Sequence, residues 1–379
     1  MTNVINAYDP LWYAQESLIQ LEKVLGMASR VHRGYDKEPT QLGSTIKIRR
    51  PGTFVAQNVG TNDTQDLKPD LIDIVVDQWK GVRFALTDKD LAATGDAIIN
   101  DHIRPAAVAI ADAIDQDLCK LADDIPWYID VGATAGIADL TAARKIMFDN
   151  KVPLTDAAKL HFMLDGDMEA DLLGQPAFTQ FNGGGADAVA AQQDAVIGRR
   201  FGFWLFANQN VQSHTKGTAS TGTMALTADF TKGATIIGVD AGSVTGTLVK
   251  GDSFVIAGNT QRYVVTATST AAGNIFSAVQ IFPPLVQDYP NNAVVTVSLD
   301  DHSEAMAFHS NAFALAMAPL SDRAADLGAR VATVSDPITN LSLRSSIWWE
   351  GGSSSINVRI DALWGVKTLD PNLAVRARN

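Results

Sequence analysis

Asp165-Gly-Asp167 followed by Glu169 could offer carboxylates to a hard cation. A calcium loop, however, spreads its oxygen ligands over about twelve residues and ends on a bidentate glutamate, a spacing this segment lacks. Carboxylates placed here fit the start of a helix instead, where unpaired backbone N–H groups favour negative charge. His302 and His309 lie seven residues apart, which puts both on one face if the segment is helical. Zinc needs further ligands within reach, and the alanines and phenylalanines between the two histidines read as core, so packed histidines are expected. Asp301-His302-Ser303 contains the residue types of a nucleophilic triad. Neighbours in sequence cannot generally orient one another as nucleophile, base and carboxylate, so a turn is expected there. Gly183-Gly-Gly185 is followed by no Lys-Ser/Thr and is not a phosphate loop. Trp348-Trp349 could stack on a base or sugar, but packing in a core or an interface is the expected role. Cys119 is the only cysteine, so no intrachain disulfide can form, a Cys-based zinc site is excluded unless chains share one, and an inert thiol is expected. No catalytic residue, cofactor or metal site is therefore expected, and the search turns to the elements themselves.

Asp9-Pro10 suits a helix start, and Leu18, Leu21, Leu25 and Ala28 repeat at helical spacing up to a stop at Gly34. From Gly43 the period changes to two. Ile46 and Ile48, then Ile72, Ile74 and Val76, then Val82, Phe84 and Leu86 alternate with polar residues. This predicts an extended hairpin system over 43–87, with a turn at Gln78 to Gly81 and a polar tip over 58–66. Such a projection is marginally stable alone and asks for a neighbouring surface. Ile99, Ile103, Ala107, Ile110, Ile114, Leu118, Leu121 and Ile125 predict a core helix over 96–125, kinked or started at Pro105. A helix over 141–148, a buried strand over 160–164, a helix over 168–173 and a strand within 199–208 follow. Between His214 and Asp300 the only charges are Lys216, Asp229, Lys232, Asp240, Lys250, Asp252, Arg262, Asp288 and Asp300 themselves. Short β runs over 246–249, 253–257, 262–268, 275–282 and 293–299 fill that block, separated by Gly, Asn and Pro, and suggest a small inserted barrel or sandwich. Ile356, Val358 and Ile360 mark a last strand.

At 379 residues and 46% hydrophobic, the chain can bury two or three packed units. No apolar run reaches membrane-spanning length and the start Met-Thr-Asn-Val lacks a secretory pattern, so folding in the cytoplasm is expected. The net charge of −12 repels phosphate backbones on average, which argues against a repressor, polymerase or nuclease. It suits a container wall that should not grip packed DNA. Lys47, Arg49 and Arg50 form a local basic cluster that could face a partner.

Ala307-Phe-His-Ser-Asn-Ala-Phe-Ala-Leu315, after the sparsely charged block and before Arg359-Ile-Asp-Ala-Leu-Trp-Gly-Val-Lys367, resembles major capsid proteins of tailed phages. Arg50-Pro51-Gly-Thr-Phe54 through Lys80-Gly-Val-Arg-Phe84 is similar to the extended loop of that HK-type fold. Ile197-Gly-Arg-Arg-Phe-Gly-Phe203 through Val211-Gln-Ser-His214 is similar to the phrase before the inserted domain of gene-five coat proteins of short-tailed phages. Pro371-Asn-Leu-Ala-Val-Arg376 resembles the family's ending, so the resemblance spans nearly the whole chain in order.

The resemblance implies an α+β chain with the tailed-phage major-capsid fold. Its parts are a helical N-terminal arm (1–42), an extended β loop (43–87), a peripheral domain with a long spine helix (88–131) and the first part of an axial domain (132–213). An inserted β-barrel-like domain (214–300), the second axial part (301–345) and a peripheral strand with the C-terminal segment (346–379) complete it. The implied function is noncatalytic: self-assembly through pentamers and hexamers into an icosahedral virion shell around double-stranded DNA, through a scaffolded procapsid that expands. The implied partners are further copies of the chain, a scaffolding protein and a portal; DNA is enclosed without sequence-specific binding, and no membrane is involved. Arg49, Arg50, Asp63, Asp66 and Lys68 are candidates for the intersubunit loop, and Asp9, Glu16 and Glu22 for a scaffolding contact. No position matches a covalent cross-link of the wider fold, so noncovalent assembly is assumed. The alternative is a particle-decorating or tail accessory protein, adhesive through a surface β domain.

Overall fold

The computed structural model describes residues 14–15, 17, 26–33, 44–50, 70–87, 103–132, 134–179, 192–193, 195, 197–320, 329–335, 342–352 and 355–379. Most of the expected arm helix, the 58–66 tip and the 183–185 glycines lie outside these residues. In chain order come β1 (Ser44–Arg50), β2 (Asp70–Val76), β3 (Gln78–Thr87), α1 (Arg104–Cys119), β4 (Tyr128–Asp130), α2 (Ile137–Asp149) and β5 (Leu160–Leu164). Next are α3 (Gly166–Gly174), α4 (Pro176–Thr179), β6 (Arg199–Arg200), β7 (Phe203–Ala207) and β8 (Ser213–His214). Then follow β9 (Thr223–Leu226), β10 (Ile236–Asp240), β11 (Thr247–Leu248), β12 (Ser253–Ile256), β13 (Arg262–Val265), β14 (Ser269–Thr270), β15 (Ile275–Phe282) and β16 (Val294–Ser298). The chain ends with β17 (His302–His309), β18 (Phe313–Ala318), β19 (Arg330–Ser335), β20 (Ser342–Glu350), β21 (Ser355–Thr368) and β22 (Ala374–Arg378).

Residues 1–115 and 314–369 form one compact unit. β1 and β2 pair antiparallel from Ser44↔Val76 to Arg50↔Asp70, with Ile46, Ile74 and Val76 buried as their alternation predicts. β3 departs from the single-hairpin expectation. It runs along β21 from Ser355↔Thr87 to Trp364↔Gln78, so Gln78 to Gly81 is strand, not turn. A period-two pattern fixes which side chains face inward but not which strand lies alongside, and the long β21 supplies the partner. Gly81 sits opposite Asp361, where an added Cβ would stand 2.5 Å from the Asp361 Cβ and 2.7 Å from the Ile360 carbonyl oxygen. The sheet order is β18-β21-β20-β19, with β3 also on β21. Within it the Asp361 side chain is fully buried. It accepts from Arg344 Nε at 3.0 Å and Nη2 at 2.6 Å, and from Trp79 Nε1 at 3.0 Å. Arg359 Nε lies 3.2 Å away. Asp115 of α1 accepts from the backbone N–H groups of Gly26, at 2.6 Å, and Ala28, at 3.0 Å, where the Met27–Ser29 turn begins. Pro105 occupies the first turn of α1, where its missing donor costs nothing, and Ile110, Ile114 and Leu118 form the buried stripe.

Residues 116–313 and 370–379 form the other unit. Its sheet runs β4-β22-β17-β5-β7-β6, with β8 on β17. All five residues of β5 are buried, as a central strand requires. Phe162, Leu164, Met168, Leu172 and Phe203 join residues of α2 in its core. Asp165 caps α3, accepting from Met168 N–H at 2.7 Å, with Asp167 and Glu169 in the first turn. Between β8 and β17 the chain builds a closed barrel, β10-β15-β13-β12-β16-β9, with β9 returning to β10. β12, β13, β15 and β16 fall on the expected β runs, and the barrel interior holds Phe254, Tyr263, Phe276, Tyr289 and Val295. β8 and β17 pair through His214↔His302, so the two ends of the barrel segment lie side by side.

Candidate functional site at the ends of the barrel segment

His302 and Ser303 begin a strand, not the expected turn, and β17 is not a helix. Successive strand residues face opposite sides, so His302 and His309, an odd number apart, diverge, whereas His302 and Glu304 share a face. His309 is buried and its Nδ1 accepts from Asn311 N–H at 3.2 Å, a structural role at the turn after β17. Ser303 Oγ bonds Asp165 and Asp301 accepts from Lys216 N–H, so Asp301-His302-Ser303 makes no triad.

The pairing of β8 with β17 instead stacks two imidazoles, His214 and His302, with centroids 5.0 Å apart. Three other segments add charges around them. The turn after α1 contributes Asp123, the β11–β12 loop contributes Gly251 and Asp252, and β22 contributes Arg376. His214 Nε2 lies 3.0 Å from Asp252 Oδ1, and its Nδ1 lies 3.6 Å from Asp123 Oδ1. Asp252 also accepts from Val249 N–H at 2.8 Å, which fixes the carboxylate. Glu304 Oε1 is 2.6 Å from Arg376 Nη1 and 3.6 Å from His302 Nε2. Arg376 Nη1 also donates to the Gly251 carbonyl at 3.2 Å. His302 Nδ1 faces the Asp300 carbonyl at 2.8 Å; a carbonyl only accepts, so this nitrogen carries the proton. Gly251 has φ +99, and an added Cβ would stand 2.6 Å from Asp123 Oδ1 and 2.8 Å from His214 Cε1, so another residue there would be strained and would push on both side chains.

Burial favours neutral His214, but bonds to Asp123 and Asp252 and the charge of Glu304 override it and raise its pKa to about 9. Burial likewise opposes ionised Glu304, yet the Arg376 charge and hydrogen bond, with the His302 ring alongside, carry its pKa down to about 2. Asp123, His214 and Glu304 bring three ligand-type atoms within 4.8 Å of one another. Beside this cluster, the Arg262 and Arg378 guanidinium carbons lie 3.8 Å and 3.5 Å from the Tyr128 ring centroid. Arg378 also pairs with Asp130 and donates to Ser253 Oγ at 2.9 Å, joining barrel to sheet.

Of the residues expected to act, Arg49 and Arg50 lie in β1 opposite Leu71 and Asp70. Asp63, Asp66, Lys68, Asp9, Glu16 and Glu22 lie outside the described residues. Cys119 is buried with its Sγ 3.7 Å from Met163 Sδ. Trp348 packs under Arg83, while Trp349 is 54% exposed. Sequence reasoning missed the cluster because its members are far apart in the chain. The one available signal was that His214 and Asp252 are among the few ionisable groups of a sparsely charged block.

The sequence matches no family model and no curated protein. Among solved structures, a chain of Mycobacterium phage Che8 superimposes with a TM-score of 0.51 at 14% identity, over 93% of this chain and 90% of that one. The chain shares its fold with that phage chain. The capsid of Cyanophage P-SCSP1u gives a TM-score of 0.47 at 12% identity, over 92% and 86% of the two chains. The mature capsid of bacteriophage PhiM1 gives 0.44 at 10% identity, over 88% and 81%. At 14% identity, what is shared with the Mycobacterium phage Che8 chain is the fold.

Proposed function

We propose that this chain is a major capsid protein that assembles through pentamers and hexamers into an icosahedral shell enclosing phage DNA. The observation that carries the reading is the extent of the likeness: it covers 93% of this chain and 90% of the Mycobacterium phage Che8 chain, so it is not confined to one shared module. The net charge of −12 agrees with a wall that leaves packed DNA unbound. In this reading the function is mechanical rather than enzymatic. The HK-type parts follow: arm, extended loop, peripheral and axial domains, with residues 214–300, which contain the closed barrel, as an inserted domain. Arg49, Arg50, Asp63, Asp66 and Lys68 would meet a neighbouring copy through the loop. Asp9, Glu16 and Glu22 would accept a basic scaffolding segment, and a portal would complete the particle.

Negative-stain microscopy of the chain, expressed alone and with a scaffolding partner, tests the reading. Closed icosahedral shells are expected; monomers under every assembly condition would refute it. Reversing the charges of Asp9, Glu16 and Glu22 should weaken scaffold binding and flatten its salt dependence. Mature particles should run as monomer-sized chains on a denaturing gel, and covalent ladders would end the noncovalent assignment.

A further inference from the structure

We propose that the cluster at the ends of the barrel segment binds one divalent transition-metal ion, zinc or a metal of similar ligand preference. The ligands are His214 Nδ1, Asp123 Oδ1, Glu304 Oε1 and His302 Nε2. One ligand atom from each of Asp123, His214 and Glu304 already lies within 4.8 Å of the others; His302 stands outside that group, reaches it through Glu304 and would have to close further to complete the set. Zinc bonds of about 2.0–2.2 Å place tetrahedral ligands about 3.3 Å apart. The His214–Asp123 and His302–Glu304 separations, both 3.6 Å, are therefore within a small closure of that geometry.

The strongest pointer is His302 Nε2. Its side chain is 8% exposed, the atom has no hydrogen-bond partner among the described residues, and it faces Glu304. Nδ1 of the same ring is occupied by its bond to the Asp300 carbonyl. The Nε2 edge of the ring thus faces the Glu304 carboxylate at 3.6 Å with no hydrogen bond closed between them, a gap that a cation can bridge. His214 has a comparable outer partner, with Nε2 on Asp252, while its Nδ1 points to Asp123 at 3.6 Å. A metal-bound histidine characteristically donates its far ring N–H to a carboxylate or carbonyl, and here both imidazoles have that outer partner.

Charge counting agrees. Asp123, Asp252 and Glu304 bring three negative charges against the permanent cation Arg376 and the proton that His214 holds in the metal-free site, and a divalent ion bound at Nδ1 would release that proton and take over its charge. The mixed imidazole and carboxylate donor set suits zinc and its neighbours better than calcium or magnesium. Gly251 adds the clearance, because any side chain there would intrude on Asp123 and His214. The ion would tie the turn after α1 and the strands on either side of the barrel segment into one unit. The proposal is independent of the capsid reading.

The untagged full-length chain, stripped with chelator, is titrated with Co2+ and followed by visible absorption. The expected result is saturation at one equivalent with the intense bands of a four-coordinate N/O site, lost on adding Zn2+, which should also raise the melting temperature. Asp252→Asn, which leaves all four ligands in place, should weaken binding about 10- to 100-fold. Asp123→Asn and His302→Gln should weaken it further, with circular dichroism verifying the fold of each. A wild-type chain giving no saturable band overturns the proposal without recourse to any variant. So does binding unchanged in folded His302→Gln and Asp123→Asn, which would place the ion elsewhere.

Discussion

Replacing Asp361 by alanine removes the acceptor on which three donor side chains converge. The carboxylate is fully buried, and Arg344 grips it with two nitrogens while its own side chain is 13% exposed. Removing one partner of such a pair leaves a largely desolvated guanidinium without its buried carboxylate, at a cost of about 3–5 kcal/mol. Arg359 adds less, since its side chain is 37% exposed and water screens it. The expected loss is therefore about 3–5 kcal/mol. With a urea slope of roughly 2–3 kcal/mol per molar, the midpoint should fall by about 1–2 M. Unfolding of the unassembled subunit can be followed by tryptophan fluorescence, because Trp79, Trp348, Trp349 and Trp364 all lie in this one sheet. The double variant Asp361→Ala/Arg344→Met removes the stranded charge together with its partner and should recover much of the loss. A midpoint unchanged in Asp361→Ala, or a double variant no more stable than the single one, would refute this account of the sheet.

Gly81→Ala should cost about 1–3 kcal/mol, because the new methyl meets strand backbone and the Asp361 Cβ rather than a flexible side-chain end; its urea midpoint checks this. Asp115→Ala should lose about 2–3 kcal/mol through two orphaned N–H groups, and faster proteolytic cleavage near Gly26 would report it. Excising 214–300 with a short linker is geometrically feasible, since His214 and His302 are strand partners. It should nonetheless lower soluble yield or assembly if the compact barrel helps fold the segments around it, and normal shells from the shortened chain would remove that role.

Local pattern made much of the fold legible. The Ile110, Ile114 and Leu118 stripe and the Pro105 start define α1, and apolar continuity marks β5 as central. What failed was partner choice. Alternation in 78–87 reads the same whether the strand folds back on β2 or runs beside β21, and only tertiary pairing decides. The stretch around His302 was misread for a related reason: Asp, His and Ser favour turns locally, but pairing with β8 and β22 holds the segment extended. The histidine cluster lay beyond reach for a third reason. Its members come from a helix-end turn, a barrel loop and three strands, so no window of sequence contains the site.

The closure of the barrel has a consequence for molecules that live crowded together. β9 returns to β10, so the six-strand ladder offers no free edge to a strand from another copy. A barrel of this kind resists the edge-to-edge zippering that leads to aggregates and amyloid-like stacks, even at high local concentration. β1 and β2, by contrast, form a sheet of only two strands among the described residues.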